Sequence, residues 1–297
     1  MLKQLGMDIL KFLFFPGLLF LAACGAFILF MEGWVQAAFY GGGGPRFRDL
    51  ALGEALRATS SPGELTALII GLAAMGVAGV LLAGVRGDLF VLVLLFSAAE
   101  ILPLFLLAMR GLEQSLHVPL LLRTALYRMI ALVCIALSVS LRFPEAFSPG
   151  LETLRGEGAP QAVQLWSGLG FGFIVASMAC AGLAYFFFLL GRPAHERRSG
   201  AERADPPAAL HAAVIDGPQR AASLILCVVL FLGYPWEGGM GVLLWSAAVL
   251  GTVVLVTMAR AWIEGRASTL ARRLQEAACV FAILSTALAF AAVIVNG

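Results

Sequence analysis

Eight long apolar stretches leave this chain few folds to choose from. They fall near residues 12–31, 65–85, 89–109, 119–141, 164–190, 221–236, 240–262 and 276–295. A helix rises 1.5 Å per residue, so about 20 apolar residues cross the roughly 30 Å hydrocarbon layer of a bilayer. Barrel strands need only about 9–11 residues and alternate in polarity, whereas these runs are unbroken. Of all residues, 61% are hydrophobic and 13% charged, against about half and a quarter in soluble domains. Lipid is the solvent such a surface requires. The expected architecture is an all-α integral membrane protein, a single transmembrane domain over residues 1–297 built as a bundle of about eight helices. The stretch from Phe12 to Met31 is too long for a signal-peptide core and reads as a span. The sixth stretch is short and ends in Tyr234-Pro235-Trp236, an aromatic group suited to the interface.

The distribution of basic residues orients these spans. One set of loops carries 12 arginines and the other carries 5 lysines and arginines, while Arg123, Arg128 and Arg260 lie within spans. The positive-inside rule places the richer set in the cytoplasm and both termini outside it. The expected location is the cell's inner (cytoplasmic) membrane, crossed several times. The long cytoplasmic loops are then 32–64 and 191–220. Loop 191–220 holds Arg192-Pro193, Arg197-Arg198 and Asp205-Pro206-Pro207. It is too polar for lipid and too rich in proline for a continuous helix. A solvated linker and a docking surface for a soluble partner fit it equally. The net charge of +2 points to no nucleic-acid partner.

Ionisable side chains inside lipid cost at least about 2.5–3.5 kcal/mol, so each needs a partner or water. Glu100 stands near the middle of the third span, and Arg123 and Arg128 lie in the first half of the fourth. Counted at 1.5 Å per residue, Glu100 and Arg128 lie about 13 Å deep on neighbouring antiparallel helices. They are placed to pair, as a static lock between helices or as one element of a polar path for protons. Arg123 is shallower and can snorkel to the interface. Glu32, Asp216, Arg220, Arg260, Glu264 and Arg266 gather at the cytoplasmic boundary, where each alone reads as a solvated helix end.

Other motifs carry less. The five cysteines fall one per apolar run, with no Cys-x-x-Cys pair and no iron–sulfur spacing, and read as small buried residues. No metal or cofactor is expected on this chain. His117, His195 and His211 share no ligand spacing, and no nucleophile–base motif suggests a lone catalytic enzyme. The glycines at 41–44 lack the Lys-Ser/Thr of a phosphate loop. Gly168, Gly170 and Gly172 suggest close helix packing within a span.

Glu32 with Gly44-Pro45, Arg48-Asp49-Leu50, Gly87-Asp88-Leu89 and Leu122-Arg123-Thr124-Ala125 together resemble motifs of a membrane subunit of NADH–quinone oxidoreductase (complex I), the one that joins the soluble redox arm to the ion-pumping arm. Relatives of that subunit occur in formate hydrogenlyase and membrane-bound nickel–iron hydrogenases. Glu32 and Gly44-Pro45 fall at the family's 13-residue spacing. Arg48-Asp49-Leu50 is similar to the Arg-Asp-Leu of the hydrogenase branch. Gly87-Asp88-Leu89 resembles the start of the third span, and Leu122-Arg123-Thr124-Ala125 that of the fourth. Gly191-Arg192-Pro193 resembles the start of the long loop with one residue missing, and Val214-Ile215-Asp216 stands where the family has Leu-Glu. The family's Arg-Lys is replaced by Gly33-Trp34 and its Arg-Arg by Gly42-Gly43. Leu189 and Leu132 occupy acidic positions, and Glu100 stands where the hydrogenase branch usually has Arg.

The resemblance implies a non-catalytic subunit that couples electron transfer to proton or sodium translocation. It implies an ion path through Glu32, Glu100, Arg123, Arg128, Asp216 and Glu264. Peripheral hydrogenase-like or quinone-reductase-like subunits would dock on the cytoplasmic side at Arg46, Arg48, Asp49, Arg192, Arg197 and Arg198. Antiporter-like subunits would be its membrane neighbours, and any quinone, iron–sulfur or nickel–iron centre would belong to partners. Two other readings stand beside it. The missing carboxylates fit a structural anchor that has lost its ion path. A stand-alone transporter would show inverted repeats and broken helices, whereas no repeat is visible and only Pro103 interrupts a span near its centre.

Overall fold

The computed structural model describes residues 18–40, 62–83, 88–109, 118–143, 166–191, 217–232, 239–264 and 268–296. These form eight helices, one at each apolar stretch. They are α1 (Leu18–Tyr40), α2 (Pro62–Ala83), α3 (Leu89–Met109), α4 (Val118–Ser140), α5 (Gly168–Leu190), α6 (Gly217–Leu232), α7 (Gly239–Glu264) and α8 (Ser268–Asn296).

Among the described residues, three segments are long and apolar enough to cross a membrane: Leu122–Ser140, Gly168–Leu190 and Arg272–Val295. Their outward faces carry large apolar side chains such as Leu169, Val280 and Ile294, all exposed. Shorter apolar helical segments occur at Ile69–Leu82, Leu89–Ala99, Gly217–Phe231 and Ala247–Arg260.

Helix ends depart from the expected span limits for a physical reason. Membrane thickness limits a span, whereas a helix runs until a stop signal ends it. Helix α1 therefore continues through Glu32 to Tyr40, next to the four glycines, so residues 32–40 are helix rather than loop. Helix α6 starts at Gly217 with Pro218 in its first turn, where a missing N–H costs nothing. That takes residues 217–220 out of the expected loop. Helix α8 begins at Ser268, eight residues before the apolar stretch, and its first turns carry Arg272, Arg273 and Glu276.

The chain divides into two compact units: residues 1–83, 98–122 and 193–222, and residues 84–97, 123–192 and 223–297. In the first unit α1 packs on α2. Gly25 of α1 meets the start of α6 so closely that a Cβ there would collide with the Gly217 carbonyl carbon. The same Cβ would stand 2.6 Å from the Pro218 nitrogen. Only a glycine permits that approach.

In the second unit the dominant pairing is α5 against α8. Helix α5 buries Gly170, Ile174, Ser177, Ala181, Ala184 and Phe188. Helix α8 buries Gln275, Ala278, Ala282, Ser285, Ala289 and Ala292. Both sets step by four and three residues, the spacing that keeps one seam facing a partner helix. Most of these side chains are small, which lets two backbones approach in lipid, where packing replaces the hydrophobic effect as the driving force. At mid-seam Ser177 Oγ donates to the Ser285 carbonyl at 2.8 Å, and Ser285 Oγ returns the bond to the Ser177 carbonyl at 2.8 Å. The contacts of Ser177 with Ser285 and of Ile174 with Ala292 run the helices antiparallel.

The expected packing role of the glycine triplet holds only at Gly170, which is buried. Gly168 and Gly172 are exposed, with nothing near where a Cβ would stand. Gly168 instead takes the left-handed conformation (φ 58°) where the chain enters α5, which glycine adopts without strain.

Candidate functional site

Three arginines of the second unit, Arg123, Arg128 and Arg142, lie along α4 and the turn that follows it. The helix's buried face runs Ala125, Arg128, Leu132, Ile135, Val139 and on to Arg142, again in steps of three and four. One seam therefore carries two buried arginines, 14 residues or about 20 Å apart.

Arg128 meets the C-terminal end of α5. The last carbonyls of a helix have no intrahelical partner and carry the negative end of its dipole. Arg128 Nη1 donates to the Phe188 carbonyl at 2.9 Å, and the guanidinium carbon sits 4.0 Å from the centroid of the Phe188 ring. Gln275 of α8 donates to the carbonyl of Gly191 at the same end. A cation and an amide from two neighbouring helices thus supply donors to the end of α5, whose last carbonyls have no partner within the helix. Tyr185 on this helix donates its hydroxyl to the Ser223 carbonyl at 2.8 Å. Thr286 of α8 donates to the carbonyl of Cys134 on α4, also at 2.8 Å.

Arg123 lies near the start of α4 and is exposed, as its shallow position suggests. Its Nη2 donates to the Tyr127 hydroxyl at 3.0 Å and lies 3.8 Å from Glu276 Oε1. Arg272 Nε donates to that same oxygen at 3.1 Å. An open cluster of two arginines, a tyrosine and a glutamate joins the first turns of α4 and α8.

Arg142, at the far end of α4, differs from both. In sequence it falls one residue beyond the apolar stretch 119–141, yet it is 1% exposed. Among the described residues no hydrogen-bond partner reaches its Nε, Nη1 or Nη2. Burial brings its guanidinium down from the strongly alkaline range of an ordinary arginine to about 9. Its carbonyl accepts a bond from Trp166 Nε1 at 3.0 Å, and Trp166 packs with Ile174 and Ala292. Arg260, which reads from sequence as a solvated helix end, is likewise buried.

Of the other expected site residues, Glu32, Glu100 and Glu264 stand on α1, α3 and α7, and their side chains lie outside the described residues. Asp216 and the docking residues Arg46, Arg48, Asp49, Arg192, Arg197 and Arg198 lie wholly outside them. The expected pairing of Glu100 with Arg128 therefore rests on a side chain outside the described residues. Gln275, Glu276, Arg142 and the Ser177–Ser285 pair do not stand out in the sequence. For the serines and Gln275 a signal exists in the four-and-three spacing of small and polar residues along the last helix.

These features define the class: an α-helical protein with membrane-crossing helices, apolar on their outward faces and small or polar along their shared seams. No family model and no curated protein matches the sequence.

Proposed function

We propose that the chain is a membrane subunit of a complex I-like or membrane-bound hydrogenase-like respiratory assembly. In this reading all eight helices cross the cytoplasmic membrane, both termini lie outside, and the arginine-rich connections meet peripheral redox subunits within. The chain would help pass the energy of electron transfer to antiporter-like neighbours as proton or sodium movement. The observation that carries it is Arg128, a cation buried within a membrane-crossing helix and turned to the interior, the kind of residue that marks ion paths and couplings in membrane proteins. The motifs that resemble the arm-joining subunits of complex I and the hydrogenases, among them Leu122-Arg123-Thr124-Ala125 at the start of α4, support the same reading.

A specific observation favours a second reading. Arg128 is bonded to the end of α5, as a purely structural lock would be, and a structural anchor without an ion path would hold the same contact. Ion translocation by the whole assembly separates the two. The coupling reading expects Glu100→Gln and Asp216→Asn to uncouple electron transfer from pumping while assembly persists. Undiminished pumping in both variants would leave the anchor.

A further inference from the structure

The second unit holds one strong charge for which the proposed function has no use. Arg142 follows by two residues the apolar segment Leu122–Ser140, which is long enough to cross a membrane, so in a bilayer it would fall near the headgroup layer. It is 1% exposed, and no partner among the described residues reaches its three nitrogens. Buried charges are paired in native proteins, because an isolated ion loses its hydration without return. A guanidinium offers a planar fork of donors suited to two oxygens of one phosphate.

We propose that Arg142 binds a phosphate oxyanion at this end of α4. Two further features fit. Trp166, the residue type that favours the headgroup layer, donates to the Arg142 carbonyl and fixes the backbone beneath the guanidinium. The chain here has also left the α-helical ladder. Arg142 N and Phe143 N bond three residues back, at 3.2 Å each, to the carbonyls of Val139 and Ser140. Such a tightened last turn opens more readily than a helix interior, which gives the anion a way in. The phosphate comes either from a phospholipid headgroup or from solution. The proposal is independent of the respiratory role, since it needs only a membrane.

The test uses the full chain, delipidated in neutral detergent, with melting followed by circular dichroism. A ligand that binds only the folded state raises the melting temperature by mass action. Wild type is expected to gain roughly 2–4 °C with phosphatidylglycerol and nothing with diacylglycerol, which lacks the phosphate. An equal gain with millimolar inorganic phosphate would assign the site to free phosphate, and a gain with the lipid alone would assign it to the headgroup. Arg142→Met should lose the gain and Arg142→Lys should keep a reduced one. Should Arg142→Met not fold, native mass spectrometry of wild type and Arg142→Lys counts bound phospholipid directly, with fewer copies expected on the lysine variant. No stabilisation of wild type by either phosphate source, or an equal gain in Arg142→Met, overturns the proposal.

Discussion

Ser177 and Ser285 each donate a hydroxyl hydrogen bond to the other's backbone carbonyl, at 2.8 Å in both directions. The exchange satisfies two buried hydroxyls at once and fixes the register of α5 against α8 at the middle of their seam. Single alanine variants should lower stability by about 0.5–1.5 kcal/mol, the range for interhelical hydrogen bonds in lipid. Each bond pairs one hydroxyl with a backbone carbonyl that alanine retains, so the double variant should cost about the sum of the two single costs, apart from the 3.1 Å contact between the two hydroxyl oxygens. Thermal unfolding in detergent, arranged as a double-mutant cycle, checks this. Larger residues should do more damage than alanine, since the flanking Ala181 and Ala282 leave the seam no spare width.

Glycine matters at one helix contact and not at another. Gly25→Ala forces a methyl into the Gly217 backbone and should destabilise the protein by about 1–3 kcal/mol. Gly172→Ala meets nothing within 4 Å and should leave stability unchanged or slightly raised, because alanine favours helix. Melting temperatures of the two variants, measured side by side, are the check.

Arg128 caps α5, and its removal takes a charged donor from the Phe188 carbonyl at that helix end. Arg128→Met should cost about 2–4 kcal/mol. Arg128→Lys should recover part of that, since an ammonium still donates to the Phe188 carbonyl but cannot lie flat on the ring. Unfolding of both variants in detergent tests the order.

Arg142 should give an unusual pH dependence in phosphate-free detergent. Unfolded, it keeps its proton up to arginine's ordinary, strongly alkaline value, and burial in the folded chain lowers that value to about 9. Between those values the unfolded state binds more protons, so rising pH favours the folded wild type. Arg142→Met lacks this gain. The variant should therefore be the more stable near about pH 8, and its lead should shrink as pH climbs through about 9. Paired melting curves across that range are the measurement.

Much of this fold is legible in the sequence because lipid imposes a simple rule. A stretch long enough to cross reads as a helix, and at each of the eight stretches the described residues form one. The ends are less legible. Glu32 and Ser268 lie inside helices that outlast their apolar stretches, since nothing in the sequence stops them there. Arg123 reads as a shallow, open residue from depth alone, and it is one. Arg142 is not legible, because being two residues beyond a span says nothing about what folds over it. The α5–α8 seam escapes notice for another reason. Length marks an apolar stretch as a span, whereas close packing in lipid is written in small residues at four-and-three spacing, such as Ala278, Ala282, Ser285, Ala289 and Ala292.

The role in a respiratory assembly is tested most directly by purifying the chain from native membranes in mild detergent and identifying what travels with it by mass spectrometry. The account predicts antiporter-like membrane polypeptides together with a hydrogenase-like or quinone-reductase-like peripheral subunit. A chain that purifies without such subunits, and retains its fold and lipid, would contradict it.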